Sequence, residues 1–179
     1  MNSADVIRFW FEEIAPKQWW DKDASFDTRV REHFLDVHRA AARGELFSWR
    51  RTPEGRLAEV VVLDQFSRNI YRETAQAFAH DALALVLAQE AVAAKADRAL
   101  AAPKASFLYM PYMHSESVLI HEQAVELFSE PALKFALDFE LKHKAIIDRF
   151  GRYPHRNAVL GRASTAEEIE FLSQPGSAF

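Results

Sequence analysis

The 179-residue sequence contains no cysteine. That absence excludes disulfides, thiolate nucleophiles and Cys-ligated zinc or iron–sulfur sites, and it suits a reducing cytoplasm. Glycine is scarce: Gly44, Gly55, Gly151, Gly161 and Gly176 lie too far apart for a dinucleotide fingerprint or a phosphate-cradling loop. Long apolar runs are also missing. Runs such as Ala82 to Ala88 reach seven residues, whereas a membrane-spanning helix needs roughly 20. Nor is there a basic excess, since 22 Lys+Arg face 26 Asp+Glu for a net charge of −4. A broad cationic surface for nucleic acid or acidic lipid is therefore not expected, and any anion site must be local. The opening residues, Met1 to Arg8, have no basic stretch leading into an apolar run, so no secretory signal is expected and the location expected is cytoplasmic.

What the chain does have is apolar mass. With 49% hydrophobic residues, including 14 Phe, 4 Trp and 4 Tyr, a single domain over residues 1–179 can bury a sizeable core. The periodicity is helical throughout. A serine-capped helix is expected over Ser3 to Ile14, and one from Phe26 to Arg43 closed by Gly44. Thr52-Pro53 is an N-cap followed by proline at the first helical position, opening a helix to Ile70 in which period outranks the strand propensity of Val60-Val61-Val62. Asp81 is read as the cap of an alanine-rich helix to about Ala96, apolar nearly all round and hence central. After Pro103 the chain reads as irregular and aromatic until helical spacing resumes near Ser115. Pro131 opens a helix ended by Gly151, and Ser164/Glu167 with Thr165/Glu168 offer overlapping capping boxes for a last short helix. No alternating strand pattern survives, so the expected class is all-α, with antiparallel helical hairpins.

Three strings concentrate polar groups. In Leu63-Asp64-Gln65-Phe66-Ser67-Arg68-Asn69-Ile70-Tyr71-Arg72, an apolar helix abruptly becomes polar; Asp64 and Arg68 are i, i+4, and Arg72 continues that face. The segment Arg149 to Asn157 holds Arg149, Arg152 and Arg156 with His155 and Asn157, three arginines in eight residues of an acidic chain. Their guanidinium forks suit phosphate or carboxylate. The alternative is that these arginines cap helix carbonyls and neutralise nearby carboxylates. The third string, Phe107 to Glu116, brings His114 and Glu116. His114 and His121, seven apart, read as one helical face, and with His143 and His155 they put four of the seven histidines within 42 residues. A metal site would need two or three of these with Glu116, Glu122 or Asp148, but His121-Glu122 lacks the second histidine of a zincin helix, and hydrogen-bonded structural histidines are expected instead. No metal or cofactor is expected. The His80-Asp81 doublet is better explained by capping, and no Gly-x-Ser-x-Gly elbow supports a covalent nucleophile.

Taken together, the Leu63–Arg72 string, Met113-His114-Ser115-Glu116, and Arg149–Asn157 with Leu160-Gly161-Arg162-Ala163-Ser164-Thr165 are specific. With Phe9-Trp10-Phe11 and Trp19-Trp20-x-Lys22-Asp23-x-x-Phe26-Asp27, the chain resembles the bacterial domain-of-unknown-function 924 family over nearly its whole length. The resemblance implies an all-α fold, antiparallel hairpins stacked like a right-handed tetratricopeptide-repeat superhelix, and no established activity. Ser67, His80 and Tyr153 depart from that family's usual proline, threonine and phenylalanine.

The leading expectation is a binding module. Its pocket, lined by Asp64, Arg68, Asn69, Arg72, His114, Glu116, Arg149, Arg152, His155, Arg156 and Asn157, would hold a small anionic ligand or a peptide carboxylate. The alternatives are a polar latch that ties the third helix to the C-terminal segment, and a hydrolase with His114 or His155 as general base.

Overall fold

A computed structural model describes residues 1–177, and all regular structure among them is helical. In chain order the α-helices are α1 (Ser3–Arg8), α2 (Ala24–Ala42), α3 (Pro53–Val61), α4 (Ser67–Ile70), α5 (Asp81–Ala93), α6 (Ala102–Met113), α7 (Val118–Phe128), α8 (Lys134–Phe150) and α9 (Ala166–Leu172). Sequential neighbours pack together from α5 through α8, while α3 packs against α1, α5 and α6.

The centre of the molecule is α3, whose Leu57, Ala58, Val60 and Val61 are wholly buried. Helix α3 can be buried all round because its one interior charge, Glu59, is matched: Arg50, from the 3₁₀ turn Phe47–Arg51, donates to both carboxylate oxygens at 2.7 Å. Trp10, Phe26, Phe34, Phe66 and Phe107 interlock beside it in edge-on and tilted ring contacts. Helix α5, expected at the centre, lies on the outside instead. It buries only the stripe Ala84, Leu87, Ala88 and Ala91, and Val86 is 50% exposed. An all-apolar composition fixes no face, so packing decided which side met water.

The segment expected to be irregular after Pro103 is helix α6, buried from Phe107 to Met113. With no polar face it shows no amphipathic period, and Pro111 sits in its last turn, where one lost hydrogen bond is tolerated. Helix α6 ends at Met113 with His114 as its cap, and His121 lies in α7, so the two do not share one helical face. Capping also differs in two places. Asn2, not Ser3, caps α1 through a reciprocal box with Asp5. Asp81 is the first residue of α5, and its carboxylate is used elsewhere. Thr52, Gly44 and Gly151 act as read, the two glycines at φ 70 and 66, and Thr165 with Glu168 forms the box that starts α9.

Between α3 and α4 the helix widens into a π-turn, Val62–Phe66. The Leu63 carbonyl accepts from Ser67 Oγ at 2.5 Å, and that hydroxyl lies 2.7 Å from His38 Nε2. Because the hydroxyl proton goes to Leu63, His38 must donate, which requires the Nε2–H tautomer. Burial first, and His80 5.3 Å away second, push His38 down to about 4, so it is the neutral form that makes this bond.

Candidate functional site

The π-turn places Asp64, wholly buried, where three partners reach its carboxylate. Oδ1 lies 2.7 Å from His114 Nδ1 and 3.2 Å from Arg68 Nη1, and Oδ2 accepts from Gln65 Nε2 at 2.5 Å. Burial raises its pKa, but Arg68 and then His114 outweigh that and hold Asp64 well below the usual carboxylate range. His114, the residue that ends α6, moves down: burial and then Arg68 disfavour its cation more than Asp64 favours it. It is therefore neutral at pH 7, with Nδ1–H donated to Asp64. Nε2 makes no hydrogen bond to any described residue.

Arg68 bridges outward. Its two terminal nitrogens reach Asp81 Oδ1 and Oδ2, both at 3.0 Å, and Nη1 also donates to the Asp64 carbonyl at 2.7 Å. Arg156, from the 3₁₀ turn Pro154–Arg156, is 6% exposed and reaches the same Asp81 Oδ2 at 3.2 Å and the His114 carbonyl at 3.1 Å. Its guanidinium lies between the rings of Phe78 and Tyr153, 4.5 and 4.6 Å from their centroids. Its Nε is buried without a partner, and burial followed by Arg68 lowers its pKa. Beside these groups opens a cleft of about 360 Å³, walled by Phe78, Asp81, Leu85, Pro111, His114, Glu116, Arg156 and Leu160. Glu116 on its rim is closed by Arg162 at 2.7 and 2.9 Å and by the Tyr153 amide at 2.8 Å.

The structure thus brings Asp64, Arg68, His114, Glu116 and Arg156 to one place, but not the remaining predicted residues. Arg149 pairs with Glu167 at 2.8 Å. Arg152 grips Glu168 at 2.7 and 2.8 Å and the Ala163 carbonyl, and Asn157 bonds Ser164 and Glu168. These residues tie α9 to the end of α8. Asn69 and Arg72 turn the other way, to Asp27 of α2, and line a separate recess of about 450 Å³ with Lys22 and Arg31. His155 packs on Tyr153, is lowered to about 4 by burial and then Arg156, and keeps Nδ1 buried and unpartnered. Sequence reasoning missed the role of Asp81, read as a cap, and the aromatic grip of Phe78 and Tyr153; neither carries a local signal.

The clustered histidines gather around one ring. His143, His155 and His121 lie 5.8, 5.5 and 6.3 Å from Tyr153, and His114 lies 6.5 Å from His143. Among the described residues no three His, Asp or Glu side chains are placed to hold a metal ion, and no helix is long and apolar enough to cross a membrane.

The α9 latch makes a pH-dependent prediction. Arg152 first, then the Thr165 amide, lower Glu168 from the usual 4.5 to about 2. A depressed carboxylate contributes stability that is present above its unfolded pKa and lost as pH falls through the folded one. Hydrogen exchange in α9 is therefore expected to accelerate relative to α3 as pH drops from about 4.5 towards 2, an effect Arg152→Gln should largely remove.

Residues 6–176 match the family model described as a bacterial protein of unknown function, DUF924. A solved structure of a protein of unknown function from Agrobacterium tumefaciens is 40% identical, with a TM-score of 0.91 over 96% of each chain. No curated protein matches the chain.

Proposed function

Since the chain belongs to the DUF924 family, whose description assigns no activity, we propose from its own side chains that it is a binding module whose cleft takes a small carboxylate. One observation carries this reading. Arg156 walls the cleft, is only 6% exposed, and meets a single carboxylate that Arg68 already grips with both terminal nitrogens. A buried guanidinium with a shared counter-ion is under-compensated, and an arriving carboxylate would complete it. Asp81 and Glu116 face the same space, so a singly charged carboxylate suits it better than a phosphate dianion. A concave binding face is what tetratricopeptide-like stacking of the hairpins would provide, and that stacking is part of the proposal.

For Arg149, Arg152, Asn157 and Arg162 the latch reading is favoured, because each is committed to a carboxylate, a carbonyl or a neighbouring side chain. The test is a thermal-shift titration with an N-acetylated dipeptide, comparing the free C-terminal carboxylate with its amide. At ligand 100-fold above Kd the free acid should stabilise the protein by about 2.7 kcal/mol, a rise of several degrees in Tm. The amide should do nothing, and Arg156→Gln should abolish the shift. Equal shifts for wild type and Arg156→Gln would remove the reading.

A further inference from the structure

Within the same cleft, the geometry of His114 goes beyond what retention of a ligand requires. A binding site needs donors and acceptors; it does not need a neutral imidazole with one nitrogen fixed by a buried carboxylate and the other left without a protein partner. Asp64 supplies that fixture at 2.7 Å and is itself held by Gln65 and Arg68. An oriented base of this kind, in a cleft beside a cation, meets the geometric criteria for general-base chemistry.

We propose that the cleft is a hydrolytic active site for carboxylic esters whose acyl part carries a second, free carboxylate. In it His114 is the catalytic general base, Asp64 the residue that positions it, and Arg156 the anchor for the free carboxylate. Only the anchor rests on the binding reading above.

Three other histidines do not qualify. His121 is wholly buried, with Nδ1 on Glu140 at 2.6 Å and Nε2 on the Ser115 carbonyl at 2.9 Å. His38 donates its Nε2–H to Ser67. His155 has no carboxylate within bonding distance among the described residues. No protein nucleophile is activated here: there is no cysteine, the Ser67 hydroxyl is committed to Leu63, and the hydroxyl of Ser115, which lines the cleft, makes no hydrogen bond to His114 Nε2 or to another base among the described residues. Water is therefore the attacking group. As its oxygen bonds to the ester carbonyl carbon, one water proton passes to His114 Nε2, and Asp64 stabilises the imidazolium that forms. That proton then passes from Nε2 to the leaving alcohol oxygen as the carbon–oxygen bond breaks. The products are a dicarboxylic acid and an alcohol, and His114 returns neutral with no oxidant, reductant or cofactor consumed.

The groups facing His114 are Asp64 from the π-turn, Arg68 from α4, Asp81 from α5, His143 from α8 and Arg156 from its 3₁₀ turn. Their balance favours the neutral ring, so hydrolysis should rise with pH to a plateau reached below the ordinary histidine range.

The experiment follows release of 4-nitrophenolate from the 4-nitrophenyl monoester of succinic acid and from 4-nitrophenyl acetate, using the full chain. Wild type should favour the succinate ester. His114→Gln, with its fold checked by thermal melting, should lose about 10²-fold or more in kcat. Asp64→Asn should lower kcat and shift the pH profile, which a purely structural role would not do; if it unfolds, diethyl pyrocarbonate labelling of His114 in wild type, slowed by succinate, reports the free Nε2 instead. Equal rates for wild type and His114→Gln overturn the hydrolytic proposal, even where the dipeptide carboxylate still binds through Arg156. His114-dependent hydrolysis that is the same for both esters and unchanged in Arg156→Gln overturns the anchor and leaves the base standing.

Discussion

Glu140→Ala will lower the free energy of unfolding by about 3–5 kcal/mol, whereas Glu140→Gln will cost about 1–2 kcal/mol. The difference follows from where the proton sits. His121 Nε2 lies 2.9 Å from the Ser115 carbonyl and must donate to it. The neighbouring Tyr153 hydroxyl, 3.2 Å from that nitrogen, gives its own proton to the Met113 carbonyl at 2.5 Å. At the other edge of the ring, Nδ1 meets Glu140 Oε1 at 2.6 Å in a site where both side chains are wholly buried. Burial pushes the Glu140 carboxyl up, and its second oxygen is buried without a partner, a poor setting for full negative charge. Burial thus favours the protonated form of this carboxyl, which in that form donates to His121 Nδ1. Glutamine reproduces that donor with its amide; alanine leaves Nδ1 orphaned beside a cavity, and the two penalties add. Urea melts of the two variants check this. Glutamine as damaging as alanine would mean that an amide donor cannot replace the Glu140 contact to Nδ1.

Gly55→Ala will also destabilise, by about 3 kcal/mol or more, although alanine favours a helix over glycine by about 1 kcal/mol. A Cβ at this position would stand 1.9 Å from the Trp49 carbonyl oxygen and 2.8 Å from its carbon, so backbone has to move. The backbone that moves carries Arg50, whose fork is the counter-charge of buried Glu59. The cost of a small clash is thereby converted into an exposed gap over a buried carboxylate. A double-mutant cycle reads this out: Glu59→Gln should cost far less in the Gly55→Ala background than in wild type.

How much of this was legible in the sequence depended on whether the cause was local. Helices α2, α3, α8 and α9 were readable because their apolar stripes repeat every 3.6 residues and their ends carry Thr52, Gly44, Gly151 or Thr165, residues whose own side chains or backbone freedom make the cap. Helix α6 was not, since a helix buried on every side has no stripe to read. The same lack of a stripe made α5 look central when one of its faces meets water. Within the site, the density of polar residues after the valine run marked Asp64 and Arg68, and the Met113–Glu116 string marked His114. Pairing was another matter. Asp64 meets His114 across 50 residues, and Arg156 meets Asp81 across 75. Nothing local says that Arg152 will choose Glu168, that Arg72 will choose Asp27, or that Asp81 will serve two arginines rather than its own helix.

The π-turn sets the phase of everything downstream. One residue more than regular winding needs has been wound into the helix between Val61 and Ser67, so the side chains beyond it are rotated by about 100° relative to an uninterrupted α-helix. Shortening this stretch by one residue would yield a straighter rod with a complete ladder of carbonyls. It would also swing Arg68 away from the opening, leaving Asp81 and Arg156 to face each other alone. The irregular winding, more than the make-up of the turns around it, is thus what aims the Arg68 guanidinium at the Asp81 carboxylate.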